Sequence, residues 1–134
     1  MRLTVITSST WIIAAVVDDR GRCSVREALD AVAVTDRAAH AQLLALLDKA
    51  SVAGPPRDER RSRHLGEGIF ELKTPRGFRL VYFFERRRLV VCSELCKKPK
   101  PRELRGMIIR RARGLRAAYL VALAAGDILV EIGA

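Results

Sequence analysis

Three short apolar runs, Gly68–Lys73, Phe78–Phe84 and Leu89–Cys96, stand between turn-forming segments and organise the chain. Thr74-Pro75-Arg76-Gly77 suits a tight turn, and Glu85–Arg88 is a second polar connection. Loops this short join antiparallel neighbours, so the three runs predict a meander. Upstream, Trp11–Val17 is nearly all apolar and reads as a strand, ended by the turn Asp18–Gly21. Residues 1–8 form a weaker β-prone run, so the first ten residues read as an extra N-terminal strand or arm.

Helical periodicity fills the gap between these strands. Ser24 with Glu27 three residues later makes a capping box, followed by Val25, Ala28, Leu29 and Val32, which predicts a helix near 25–33. A second helix starts at Thr35 or Asp36 and carries the stripe Ala39, Leu43, Leu46, Leu47 and Ala50 to about Ser51, before Gly54-Pro55-Pro56. Arg57–Arg63 alternates acids and bases and reads as a solvated linker. After Pro101, Arg102–Ala125 reads as a long helix with a potential break near Gly106 or Gly114. Leu104, Ile108, Ala112, Leu115 and Tyr119 lie on one stripe; Arg102, Arg105, Arg113 and Arg116 lie beside it. Gly126-Asp127 ends this helix, and Ile128–Ile132 is a short last strand or a loose tail. The predicted order is β-α-α-β-β-β-α, a curled antiparallel sheet with helices packed on one face, which is α+β.

Composition sharpens this picture in two ways. A chain of 134 residues is one domain of ordinary size. Five of its seven aromatic residues (Phe70, Phe78, Tyr82, Phe83, Phe84) fall in the meander, which places the core there. The net charge of +10 is uneven: residues 1–72 balance at zero, residues 73–119 carry fifteen bases against three acids, and residues 120–134 carry two acids and no base. A basic second half implies a polyanionic partner, with nucleic acid first and an acidic protein or membrane surface behind it. No run of eighteen apolar residues is present, so no membrane span is expected.

Other chemistries find little support. Cys23, Cys92 and Cys96 contain no CxxC pair; Cys92 and Cys96, four apart in one strand, are expected on one face, as buried thiols of a reducing cytoplasm rather than a bridge. With two histidines, a Cys/His metal site is not expected, nor is a cofactor. GxSxG, GxGxxG and GxxxxGK[ST] are all missing. Strand parity, by contrast, places Glu71 and Lys73 on one sheet face and Arg79 on the corresponding face of the next strand. Lys97 and Lys98 follow the third strand, and Lys100 lies just beyond. Clustered cations beside a carboxylate or phenol suit metal-independent phosphodiester cleavage, in which a 2′-hydroxyl attacks its neighbouring phosphate and lysine and arginine stabilise the charge that develops.

The ordered set Leu65–Lys73 (LGEGIFELK), Phe78–Phe84 (FRLVYFF), Leu89–Cys96, Lys97–Pro101 (KKPKP) and a basic helix ending in Tyr119 resembles the RelE/ParE toxin superfamily, in its phage-derived HigB-like branch. The resemblance covers roughly residues 11–120 and includes the upstream SVREAL, Ser24–Leu29. It implies one RelE-like toxin domain over 1–134, with residues 121–134 as a C-terminal extension. It also implies a cytoplasmic toxin of a type II toxin–antitoxin pair, cutting mRNA on the ribosome and inhibiting translation, with a small helix-turn-helix antitoxin as partner. Glu71, Lys73, Arg79, Lys97, Lys98 and Tyr119 would be the catalytic set, with Tyr82 in the sheet motif. Lys100, Arg102, Arg105, Arg113 and Arg116 would bind RNA. Two alternatives share the fold: a ParE-like inhibitor of gyrase, and a catalytically inactive relative that binds RNA or antitoxin. The second is motivated by Ser93 and Leu95, which stand where the family often has His and Phe.

Overall fold

The computed structural model describes residues 1–85, 87–98 and 102–132. Two strands open the chain, β1 (Arg2–Ser8) and β2 (Ile12–Val17), followed by two helices, α1 (Ser24–Thr35) and α2 (Arg37–Ala53). Four strands follow: β3 (Ser62–Gly66), β4 (Ile69–Lys73), β5 (Phe78–Glu85) and β6 (Leu89–Lys97). Helix α3 (Arg102–Ala124) and strand β7 (Leu129–Ile132) complete the described chain. The fold is α+β, and among the described residues the order is β-β-α-α-β-β-β-β-α-β. It exceeds the expected order by β1, β3 and β7.

These seven strands form one sheet in the order β3-β4-β5-β6-β2-β1-β7. The meander from β4 to β6 is antiparallel as expected and β3 extends it antiparallel, but β2 joins β6 in parallel and β7 joins β1 in parallel, so the sheet is mixed. Helices cover both faces instead of one. Alternation divides the strand residues: Ile13, Ala15, Leu72, Leu80, Tyr82 and Val90 pack with α1 and α2, where Leu29, Leu43 and Leu47 meet them. On the opposite face, Ala14, Ile69, Val81, Phe83 and Val91 pack with Ile108, Ala112 and Tyr119 of α3. A sheet with apolar residues on both faces needs two covers, and α3 is the second.

Several local expectations are corrected. Ser24 does not cap α1: Cys23 holds the cap position without a side-chain hydrogen bond, and Glu27 instead accepts from Arg22 Nε at 2.8 Å. Asp36 does cap α2, accepting from the Ala39 amide at 3.1 Å. Part of the segment read as a linker is β3. Helix α3 runs unbroken through Gly106 and Gly114. Cys92 and Cys96 point to opposite faces, because the β5–β6 register shifts between Val81 and Tyr82. Val81 faces Glu94 while Tyr82 faces Cys92, so Ser93 is the additional residue of a β-bulge and alternation inverts beyond it. All three cysteines are free.

Candidate nucleic-acid interface

Register brings three cations into line at one end of the meander. Lys73 on β4 pairs directly with Arg79 on β5. On its other side the Lys73 amide donates to the Arg61 carbonyl at 2.7 Å, which extends the β3–β4 ladder by one position. The side chain of Asp58 sets up that position by accepting from the Arg60 amide at 2.9 Å, while its carbonyl accepts from the amides of Arg61 and Ser62. This Asx-type turn aims Arg60 and Arg61 at the sheet end. Like charges directly opposite each other across a ladder are destabilising, so a row of Arg61, Lys73 and Arg79 is held against its own repulsion.

The row opens into a groove of about 560 Å³. Lys49, Arg60, Arg61, Lys73 and Arg79 line it, along with Gln42, Ala45, Leu46, Thr74 and Pro75, and none of these is an acid. One wall is therefore α2 and another is the turn before β3. Neither was expected here: Arg60 and Arg61 stand in a mixed-charge run read as a solvated linker, and Lys49 sits on a helix read as scaffold. The one available signal was the Asp58 turn motif, which shows that the run is structured.

Glu71 stands behind this row. It is 7 % exposed, with Oε1 at 3.9 Å from Arg79 Nε and 3.7 Å from an Arg105 guanidinium nitrogen. The narrow cleft around it, about 20 Å³, is lined by Arg79, Lys98 and Arg105 among others and has no room for a nucleotide. Glu71 therefore acts on Arg79 and Arg105 through charge, beyond hydrogen-bond distance of either, rather than reaching outward itself. Arg79 also donates to the Phe78 carbonyl at 3.0 Å.

The remaining nominated residues divide. Lys98 lines the Glu71 cleft, but Lys97 pairs with Phe78 on the α1–α2 face, with its ammonium 5.8 Å from that ring's centre. Adjacent strand residues point opposite ways, so the lysine pair is split. Arg113 and Arg116 lie over the β3–β4 turn: Arg113 Nε is 3.2 Å from Glu67 Oε2, and Arg116 covers Gly68. Arg102 is exposed at the start of α3. Lys100 lies outside the described residues.

Neither tyrosine joins the cations. Tyr82 is on the opposite sheet face, 1 % exposed and hydrogen-bonded to Ser62 Oγ at 2.6 Å; burial pushes its phenol up to about 12. Tyr119 is buried against Phe83, with ring centres 5.3 Å apart, and burial followed by its hydrogen bond to Glu85 pushes its phenol well above the usual range. Among the described residues no three His, Cys, Asp or Glu side chains come together where they could hold a metal ion, and no helix is long and apolar enough to cross a membrane. Chemically, the arrangement offers fixed positive charge over an open groove, which fits a phosphate chain.

Residues 30–114 match the family described as phage derived protein Gp49-like (DUF891), a span from within α1 to within α3. No curated protein matches the chain.

Proposed function

Because the chain belongs to the phage-derived Gp49-like family, which is associated with RelE-type toxins of toxin–antitoxin pairs, we propose that it is an mRNA-cleaving toxin that acts in the cytoplasm and is neutralised by a small antitoxin. One observation carries this reading: Arg61, just before β3, stands in ladder register with Lys73 on β4 and Arg79 on β5, at the mouth of a groove lined by no acid. Glu71 offsets part of this charge through Arg79, and no acid of the groove lining offsets the rest. A row of like charges lowers stability unless a polyanion fills it. On this reading residues 1–134 are one RelE-like toxin domain of the HigB-like branch, built on the β3–β6 meander.

The cleavage step would need no metal. The 2′-hydroxyl gives its proton to solvent as its oxygen bonds to the adjacent phosphorus, and the bond from phosphorus to the 5′-oxygen breaks, leaving a 2′,3′-cyclic phosphate. Arg79 and Lys73 stabilise the charge on the non-bridging oxygens, and a lysine ammonium donates to the departing oxygen. Glu71 holds Arg79 and Arg105 in place as a positioning residue. Tyr82 and Tyr119 support the sheet from its two faces. Lys98 and Arg105 extend the positive field toward α3.

Induced expression without antitoxin tests the reading. Growth should stop and mRNA should be cut, and Arg79→Ala should slow cleavage by about 100-fold or more, the scale of losing one charge-stabilising donor. Growth arrest with intact mRNA and relaxed plasmid would point to gyrase instead. Harmless expression of a folded chain that still binds RNA would leave only the binding role.

A further inference from the structure

We propose that the groove between α2 and the sheet end is a base-reading subsite, in which Gln42 recognises the edge of one unpaired base while Lys49, Arg60 and Arg61 hold the flanking phosphates. The inference rests on the reading of the chain as an RNA-binding toxin and names the residue that sets its sequence preference.

Three observations converge. The groove's volume of about 560 Å³ is far beyond what a phosphate group needs. Its α2 wall includes the apolar side chains of Ala45 and Leu46, a surface for the face of a base. On that same wall Gln42 Oε1 is buried without a hydrogen-bond partner. A buried acceptor left unpaired is costly, and a ligand that pairs with it recovers that cost on binding. The terminal torsion of glutamine is soft, so its amide can rotate to present both carbonyl and N–H to the groove.

Phosphate alone does not fit this wall, because it offers acceptors and no donor. A base edge offers donor and acceptor side by side, the pattern a glutamine amide matches with two hydrogen bonds. Single-stranded RNA presents such edges unpaired, joined by phosphates that a cationic rim attracts. An acidic peptide also combines anions with N–H groups, but its anions are mobile side chains. Here the backbone that carries Arg60 and Arg61 is held by the Asp58 turn and the β3–β4 ladder.

Non-cleavable 2′-O-methyl octamers of A, C, G and U, titrated against the full chain at several salt concentrations, separate the possibilities. The native chain should prefer one base. Gln42→Leu should reduce that preference about tenfold or more and leave affinity for the other three bases nearly unchanged, as expected when one amide–base pair is lost. Arg61→Ala should weaken all four equally and lower the slope of log affinity against log salt by about one. Unaltered melting of each variant excludes misfolding. If Gln42→Leu binds with the native ranking, Gln42 does not read the base and the inference fails, while RNA binding stands. If the native chain binds no octamer at a salt concentration where a glutamate-rich peptide binds, both the inference and the RNA reading fail in favour of an acidic protein partner.

Discussion

Tyr82 and Tyr119, the chain's two tyrosines, are both buried with phenols shifted upward, and neither shares the cationic groove. A phenol whose folded value lies above its ordinary value of 10.0 stabilises the fold fully below that value, and the contribution is lost as pH rises through the folded value. For Tyr82 the window runs from 10.0 to about 12. Ultraviolet titration should therefore show almost no tyrosinate until the chain unfolds, and then both groups together. A phenol ionising near 10 in the folded chain would refute this burial. Ser62→Ala should cost about 1–3 kcal/mol in denaturant melts, the range for a buried hydroxyl left unpaired. At this scale the sequence was partly legible. Alternation in short strands put Glu71, Lys73 and Arg79 together because no bulge intervenes between them. It failed for Cys96, which lies beyond the Ser93 bulge, since an inserted residue leaves no signature in hydrophobicity. Lys97 and Lys98 were read as a pair although consecutive strand positions face apart.

Among the elements, the β3–β4 hairpin is the one the pattern of apolar residues concealed. Ser62-Arg63-His64-Leu65-Gly66 has one strongly apolar residue, because an edge strand with a polar face needs little burial to pair. Its turn does leave a mark: Gly66, Glu67 and Gly68 all have positive φ, at 99°, 51° and 79°. A Cβ on Gly68 would stand 2.9 Å from Arg116 Nε, so the turn and α3 can meet because that side chain is missing. Gly68→Ala should destabilise the chain by more than about 1 kcal/mol in chemical denaturation, combining backbone strain with displacement of Arg116. A neutral outcome would mean that Arg116 is not held over the turn. The long helices were easier to read, since their stripes repeat many times; Ile108, Ala112 and Tyr119 of α3 are buried as that spacing requires.

At the scale of the whole molecule the sheet joins distant parts of the chain. β7 lies in parallel beside β1, with Arg2 Nε 2.9 Å from Glu131 Oε1 and the Leu129 amide donating to the Met1 carbonyl at 2.9 Å. Parallel neighbours need a crossover, and no local pattern specifies which strand a chain will return to. That is why β1 read as a strand or an arm and β7 as a strand or a tail, and why the sheet's mixed character was missed. Removing residues 128–134 should open the β1 edge, lower the melting temperature and produce concentration-dependent association in light scattering. A truncated chain as stable and monomeric as the whole would show that β7 contributes nothing to the sheet.

The parallel pairing of β2 with β6 also sets an order of events during synthesis. Ile12–Ala15 find their partners only in Leu89–Cys92, 77 residues later. Until a ribosome has made those residues, the first hairpin and both early helices have half a sheet to pack on, and closing so long a loop is slow. Arg79 enters its row before β6 exists, whereas Lys98 and α3 arrive after it. A chain interrupted between β5 and β6 therefore carries all of the groove's charges and no completed sheet to hold them. The groove gains a completed sheet beneath it only after β6 has been made.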